Sequence, residues 1–266
     1  SECCLPARLP PCLSCVMPLT HSFNIGKLRC HTLEAGLQHL DGGAMFGVVP
    51  RTLWTRRITP DERNRIPLAM RCLLVEHRDG LVLIDTGLGN KEDQKFIDIY
   101  GIENAGSPGP TRLEDALADL GHAPRDIRWV VNTHLHFDHA GGNTTAVTAA
   151  SGEVEVRPTF PNATYVVQRG DLEFARHTNE RTRASYLPHN FEPVAAAGQF
   201  RLLEGDGEVL PGIRVRVTPG HVPWHQSVLV SDGPDTIAFL ADLIPTSHHL
   251  PLPWIMGYDV EPLRSL

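Results

Sequence analysis

Apolar runs bounded by turn residues predict a chain rich in β-strands. Weak alternation of apolar and polar residues over 21–35 predicts a first strand pair. The apolar runs at 69–76 and 81–84 are joined by a turn containing Asp79-Gly80, which predicts a β-hairpin. The run at 127–131 predicts a buried strand directly before a histidine-rich segment. Four more strands are predicted at 163–168, 213–217, 227–230 and 236–240.

Helical periodicity is clearest over 111–121. Thr111 and Glu114 have the spacing of a capping box, and Gly121 is expected to end the helix. A shorter helix is predicted at 171–177, a glycine-rich apolar loop at 41–50, and an irregular polar segment or lid at 178–198. Because strands outnumber helices in both halves, we predict an α+β fold with two sheets flanked by helices.

The length and composition are those of an ordinary globular protein. The 266 residues are 41% hydrophobic and 21% charged, which suits one large domain. A net charge of −7 argues against a nucleic-acid partner. No apolar run approaches the roughly 20 residues that span a bilayer, so we predict a cytoplasmic protein with no membrane partner. Secretion is left open.

The first residues differ from the rest of the chain in their cysteine content. Four of the six cysteines lie in the first fifteen residues, and Cys12 and Cys15 have the spacing of half a zinc site. Prolines surround them, so we predict an unstructured leader at 1–16 and a single folded domain at 17–266. Cys30 and Cys72 lie in strand-like runs and are predicted to be buried.

The segment 133–142 contains the clearest candidate chemistry. His134, His136, Asp138 and His139 are four potential ligands within six positions. If protonated together they would repel one another, and if buried each would need a partner. A divalent cation resolves both problems, because neutral imidazole and ionised carboxylate bind it well. We therefore predict a metal site here.

Other predicted strand ends carry further ligand-type residues. Asp85 follows the run at 81–84, His221 follows a Pro-Gly turn after the run at 213–217, and Asp242 ends the last apolar run. A lone residue of this kind is usually a turn or capping group. Beside the histidine-rich segment, these side chains are expected to converge on one rim.

The ligand-type residues, in this order, resemble the metallo-β-lactamase superfamily. The matching residues are His134, His136, Asp138, His139, His221 and Asp242. The resemblance implies an αββα sandwich with two Zn2+ ions at one edge of the sheets. It places His134, His136 and His221 on one ion and Asp138 and His139 on the second, with Asp242 bridging both. Histidine at position 136 is typical of the zinc hydrolases, and Asp242 argues against a true β-lactamase.

A narrower resemblance covers nearly all of 17–266. The segments 43–50, 63–66 and 253–259, together with Trp54, are similar to quorum-quenching N-acyl homoserine lactonases, with methyl parathion hydrolase a more distant relative. In that branch the Met-Phe loop lies near the site, so Met45 and Phe46 are expected to bind substrate.

The chain departs from that branch in two places. Pro245 stands where the better-known lactonases have a substrate-assisting tyrosine, which makes His249 a catalytic candidate. The superfamily's last ligand, a histidine, would follow the segment 253–259, but the sequence stops at Leu266. We favour a chain that lacks its C-terminal strand, helix and ligand over substitution by His248 or His249. The second ion would then bind weakly.

The resemblance implies a zinc hydrolase in which a metal-bound hydroxide attacks a small lactone or ester. Asp138 or a water would pass a proton to the leaving alkoxide. Asp85 and His225 are expected to orient the ligands from behind. A phosphotriesterase or phosphodiesterase of the same fold and a catalytically impaired metal-binding protein remain alternatives. Branch members often form homodimers, which leaves dimerisation open here.

Overall fold

A computed structural model describes residues 18–266, and it contains a seven-stranded and a four-stranded sheet. The predicted leader at 1–16 and its four cysteines lie outside the described residues. The larger sheet has the order β1-β2-β3-β4-β5-β8-β9. Its strands are β1 (Thr20–Ile25), β2 (Leu28–Asp41), β3 (Arg65–His77), β4 (Gly80–Ile84), β5 (Ile127–Val131), β8 (Thr164–Gln168) and β9 (Phe200–Leu203).

The smaller sheet is an antiparallel meander that packs on the larger one. Its strands are β10 (Gly207–Leu210), β11 (Ile213–Val217), β12 (Gln226–Asp232) and β13 (Asp235–Phe239). A separate hairpin is formed by β6 (Thr144–Thr148) and β7 (Val154–Pro158). The two large sheets share a core that includes Cys30, Val82, Val215 and Val228. Burial of such apolar side chains is the main force holding the sheets together.

Short helices cover the outer faces and the loops. They are α1 (Gly42–Phe46), α2 (Arg51–Trp54), α3 (Gln94–Tyr100), α4 (Arg112–Asp119), α5 (Phe137–Ala140), α6 (Arg169–Arg176), α7 (Glu192–Ala196) and α8 (Pro262–Ser265). Leu113, Ala116 and Leu117 of α4 pack with Leu33 of β2 in a second core. Within residues 18–266, no helix is long and apolar enough to cross a membrane.

Most predicted elements are confirmed. The strand pair β1–β2, the hairpin β3–β4 and the strands β5, β8, β11, β12 and β13 lie where the pattern put them. Cys30 and Cys72 are buried, as predicted. The hairpin turn uses Gly80 at a φ of 106°, a conformation that glycine adopts without steric cost.

Three local predictions are wrong. The segment 41–50 is not a loop throughout, because α1 begins after Asp41, whose side chain caps Ala44 N at 2.8 Å. The Thr111–Glu114 capping box does not form, since the Thr111 side chain makes no cap hydrogen bond. The segment 178–198 is partly ordered structure, because it contains α7 and the buried Tyr186 and Phe191.

Candidate metal centre

Four strand ends bring their polar side chains to one rim, as the sequence predicted. Strands β4 and β5 are parallel neighbours, so Asp85 and the loop that begins at Thr133 emerge at the same edge of the larger sheet. His221 follows β11 and Asp242 follows β13 in the smaller sheet. Ligand-type residues of both sheets therefore meet at the edge of the sandwich.

The tightest cluster consists of three imidazoles and one carboxylate. One ligand atom from each of its members lies within 4.8 Å of those of the others. His221 Nε2 is 3.1 Å from His136 Nδ1 and 3.2 Å from Asp242 Oδ2. The three histidines of this cluster are buried. The members are His134, His136, His221 and Asp242.

The cluster has the chemical character of a cation site. The buried Nε2 of His134 has no hydrogen-bond partner among the described residues. An unpartnered buried nitrogen costs about 1–3 kcal/mol unless something binds it. Burial lowers the pKa values of His134 and His136 well below the ordinary value, which keeps both rings neutral and their lone pairs available. Three imidazoles and a carboxylate form a donor set that fits Zn2+.

Asp138 and His139 lie beside this cluster and connect to it through Asp242. His139 Nε2 is 3.2 Å from Asp242 Oδ1 and 3.7 Å from Asp138 Oδ2. Although burial of His139 opposes it, the nearby Asp242 and Asp138 raise the pKa of that ring well above its ordinary value. Burial alone would raise the pKa of Asp242. The neighbouring His139 and His221 instead hold that pKa below its ordinary value. The structure thus brings all six predicted ligands into one region.

Asp85 holds the histidine-rich loop from behind. Its carboxylate accepts hydrogen bonds from Thr133 N and Thr133 Oγ1, each at 2.8 Å, and lies 2.8 Å from His139 Nδ1. Asp85 adopts a φ of 55°, which is uncommon for a residue other than glycine and is typical of constrained sites. These contacts leave Nε2 of His139 facing the cluster.

His225 packs behind the first histidine of the loop. Its ring centroid is 5.2 Å from that of His134, and its Nδ1 lies 2.8 Å from Thr218 Oγ1. Burial lowers the pKa of His225 to about 3, so the ring is neutral. Its Nε2 has no hydrogen-bond partner within residues 18–266. His225 therefore supports the ring of His134 by packing.

Three polar side chains at the site are not indicated as site residues by the sequence pattern. Asp171 accepts hydrogen bonds from Leu135 N and from the Tyr186 hydroxyl, at 2.8 and 3.0 Å. Asp259 Oδ1 lies 3.1 Å from His221 Nδ1, and Gln38 donates to Asp138 Oδ2 at 2.6 Å. Asp171 is the first residue of the predicted helix at 171–177, and a carboxylate at that position indicates a hydrogen-bonding role. Gln38 lies within a strand, and nothing in the residue pattern there indicates such a role.

His249 is not placed as a catalytic group, which corrects that prediction. Its Nε2 lies 2.9 Å from the Met45 carbonyl oxygen, and its Nδ1 lies 2.8 Å from Thr246 Oγ1. Both ring nitrogens are thus engaged away from the cluster. Neither His248 nor His249 belongs to the four-residue cluster of ligand atoms found among the described residues.

The two predicted substrate-binding residues separate in the structure. Met45 lines the cavity in front of the cluster. Phe46 is fully buried and does not line it, which corrects that prediction. Its ring stacks on His249 with centroids 4.7 Å apart and packs against Trp54 at 5.3 Å. Phe46 therefore supports the wall from behind.

The cavity in front of the cluster has a volume of about 690 Å³. Asp138, His136, His221 and Asp242 form part of its wall. The apolar residues of its wall include Leu40, Leu68, Met70, Phe239, Leu240 and Ile244. A volume of this size is typical of small-molecule sites.

Comparison with known sequences identifies related proteins. The sequence profile of the Metallo-beta-lactamase superfamily matches residues 67–265. An N-acyl homoserine lactonase from a Bacillus species is 30% identical over 212 residues, which cover 77% of this chain and 75% of the relative.

Solved structures give the same picture of the fold. A probable metal-dependent hydrolase from Staphylococcus aureus is 30% identical, with a TM-score of 0.82 over 91% of this chain and 83% of that one. The dizinc quorum-quenching lactonase AidC is 20% identical, with a TM-score of 0.70 over 93% of this chain and 84% of that one. These likenesses confirm the predicted α+β sandwich.

Proposed function

The chain belongs to the metallo-beta-lactamase superfamily, and on this premise we propose that it is a metal-dependent hydrolase that opens lactones of the N-acyl homoserine type or related small esters. The observation that carries the proposal is the buried cluster of three imidazoles and a carboxylate at the wall of a cavity. The lactonase relative, 30% identical over 212 residues, supports the substrate class.

The residues present would hold two Zn2+ ions. His134, His136 and His221 would bind the first, Asp138 and His139 would bind the second, and Asp242 would also take part in holding them. When bound, such ions act as Lewis acids that activate water and polarise a carbonyl group. The short separations from His139 Nε2 to Asp242 and Asp138 support the second position.

The protein's own side chains would fix the ligand histidines and transfer the proton. Asp259 and Asp85 hold one nitrogen each of His221 and His139, which fixes those rings. Burial raises the pKa of Asp138 above its ordinary value in the metal-free protein. Asp138 would accept the proton that the attacking water gives up and pass it to the leaving alkoxide.

The shape of the cavity supports a substrate with an apolar tail. Its polar wall at the cluster would receive the lactone ring. The side chains of Leu68, Met70 and Ile244 offer an apolar surface beside it. Burying an acyl chain against such a surface gains roughly 0.8 kcal/mol per methylene group.

A lactone-opening assay with and without a chelator tests the proposal. The wild-type protein should hydrolyse N-hexanoyl homoserine lactone, lose activity with the chelator and regain it with Zn2+. His136→Ala should abolish turnover, whereas the control His177→Ala should keep it, because the His177 side chain is 77% exposed. Faster hydrolysis of an aryl phosphotriester than of any lactone would favour a phosphotriesterase instead. Full lactone turnover by His136→Ala would reject the site.

A further inference from the structure

An irregularity in strand β2 decides which way one buried amide points. The register of β2 on β3 pairs Glu34 with Arg71 and Leu37 with Ala69, so Ala35 and Gly36 together oppose Met70. This arrangement is a β-bulge, with Gly36 at a φ of 131°. A bulge adds one residue to one strand and therefore reverses the alternation of its side chains beyond that point.

The reversal brings Gln38 to the face of the sheet that carries Met70. Gln38 pairs with Leu68, and directly paired residues of antiparallel strands point to the same face. Leu68 is two residues from Met70 and shares its face. Without the extra residue, Gln38 would lie on the opposite face with Thr32. The bulge thus places Gln38 on the same face as Leu68 and Met70.

On this face the Gln38 amide meets the carboxylate of Asp138. Gln38 is 4% exposed and lines the cavity, and its Nε2 donates to Asp138 Oδ2 at 2.6 Å. The same oxygen is 3.7 Å from His139 Nε2. No other side chain within residues 18–266 donates to this carboxylate within hydrogen-bond distance.

We propose that Gln38 is a positioning residue that holds the Asp138 carboxylate in the orientation in which it binds the second metal ion. The proposal rests on the function proposed above, in which Asp138 is a ligand. A carboxylate oxygen has two lone pairs, so Oδ2 can accept from the amide and still bind a cation. The bond removes the free rotation of the carboxylate, and an ion then meets a ligand already in place.

The alternative is that the bond only stabilises the fold, and zinc titration separates the two. Gln38→Met keeps the size of the side chain and removes the donor. The matched control is Gln94→Met, because Gln94 Nε2 donates to Asp98 Oδ1 at 2.8 Å in an exposed position. Protein stripped of metal is titrated with Zn2+ against a chromophoric chelator, and its melting temperature is recorded in parallel.

For Gln38→Met we expect the affinity of the weaker zinc equivalent to fall roughly 10-fold or more. The stronger equivalent and Gln94→Met should match the wild type. With a lactone that is turned over, kcat should fall more than KM rises. Should Gln38→Met fail to fold, Gln38→Asn replaces it, since that amide is one methylene too short to reach Asp138.

The proposal is overturned if Gln38→Met binds every zinc equivalent with wild-type affinity, whether or not its melting temperature is lower. The proposal is also overturned if the wild-type protein binds only one equivalent of zinc and Gln38→Met binds that equivalent with the same affinity. The titration uses no substrate. A loss of zinc affinity in Gln38→Met together with no turnover of any lactone would therefore reject the proposed substrate and keep the positioning role.

Discussion

Asp171 shows how a residue that touches no predicted ligand side chain shapes the site. Its carboxylate accepts from Leu135 N, which lies between two of the clustered histidines, and from the Tyr186 hydroxyl. Burial raises the pKa of Asp171 to about 7, although both hydrogen bonds oppose the shift. The side chain thus fixes the backbone from which His134 and His136 project.

Replacing Asp171 with asparagine should destabilise the protein. Only one acceptor oxygen remains for two donors, so the new amide group would face either Leu135 N or Tyr186 OH. The cost of one unsatisfied buried donor is about 1–3 kcal/mol in the free energy of unfolding, measured by urea denaturation. The exposed Asp119→Asn should change that free energy by less than about 0.5 kcal/mol. Equal stability of the two variants would refute the assigned role.

The polar residues of the site could be predicted from the sequence because they follow strand ends. Asp85 and Asp242 come directly after apolar runs, and His221 follows the turn after another run. Gln38 could not be found in this way, since its direction depends on a bulge that no residue pattern revealed. The error at His249 has a similar cause. Nothing in the order of residues shows that the Met45 carbonyl engages its Nε2.

Among the elements, β2 depends on a glycine at its bulge. A Cβ atom at Gly36 would lie 2.6 Å from the Asn104 Cβ and 2.9 Å from the Met70 Cε. The φ of 131° is also one that side-chain-bearing residues rarely adopt. The bulge therefore tolerates no other residue without a shift of its neighbours.

Gly36→Ala should lower the free energy of unfolding by roughly 1–3 kcal/mol, through strain and a close contact. Gly152→Ala is a suitable control, because Gly152 also has a positive φ but a Cβ atom added there would meet no described atom within 4 Å. Comparing the two by thermal and urea denaturation separates the contact from the backbone strain. A smaller loss in Gly36→Ala than in Gly152→Ala would contradict the expectation.

The loop after β4 is tied to the turn after the histidine-rich segment by Lys91. Its Nζ donates to the carbonyl oxygens of Gly141 and Thr144 at 2.6 and 2.7 Å. Burial lowers the pKa of Lys91 from 10.5 to about 8. The folded state thus releases this proton at a lower pH than the unfolded chain does.

The stability contribution of Lys91 should rise with pH between about 8 and 10.5, since there only the unfolded chain holds the proton. Below that window the contribution stays at its lowest value, because both states are protonated. The difference in free energy of unfolding between the wild type and Lys91→Met should therefore increase across this range. Urea denaturation at several pH values measures it, with the exposed Lys95→Met as the control. A difference that stays constant or falls would rule out the buried ammonium as its source.

Strands and helices could be predicted where the hydrophobic pattern was strong. The prediction failed where local hydrogen bonds determined the backbone structure. The apolar runs of β5, β8 and β11 were enough to locate those strands. By contrast, α1 forms because the Asp41 side chain caps it, inside a segment whose glycines indicated a loop. At the start of α4 it is Asp115 that accepts from backbone N–H groups of the preceding loop, including Gly109 N at 2.6 Å. The Thr111 side chain makes no cap hydrogen bond there.

At the scale of the whole molecule, the cluster joins the two sheets. His134 and His136 come from the larger sheet, and His221 and Asp242 come from the smaller one. The order of these residues along the chain was enough to predict the family and the sandwich. The pairing of the strands and the cavity between the sheets depend on contacts between distant residues, and the sequence alone did not define them.

A cation bound by residues of both sheets should stabilise the fold as a whole. A ligand at 100 times its Kd adds about 2.7 kcal/mol to the free energy of unfolding, which corresponds to a rise on the order of 5–10 °C in Tm. Zinc-loaded wild-type protein should therefore melt above the chelator-stripped form in calorimetry. His221→Ala should lose most of that difference, because it removes one of the smaller sheet's contributions, and His177→Ala should retain it. If stripped and loaded proteins melt together, the cluster does not link the sheets through a metal ion.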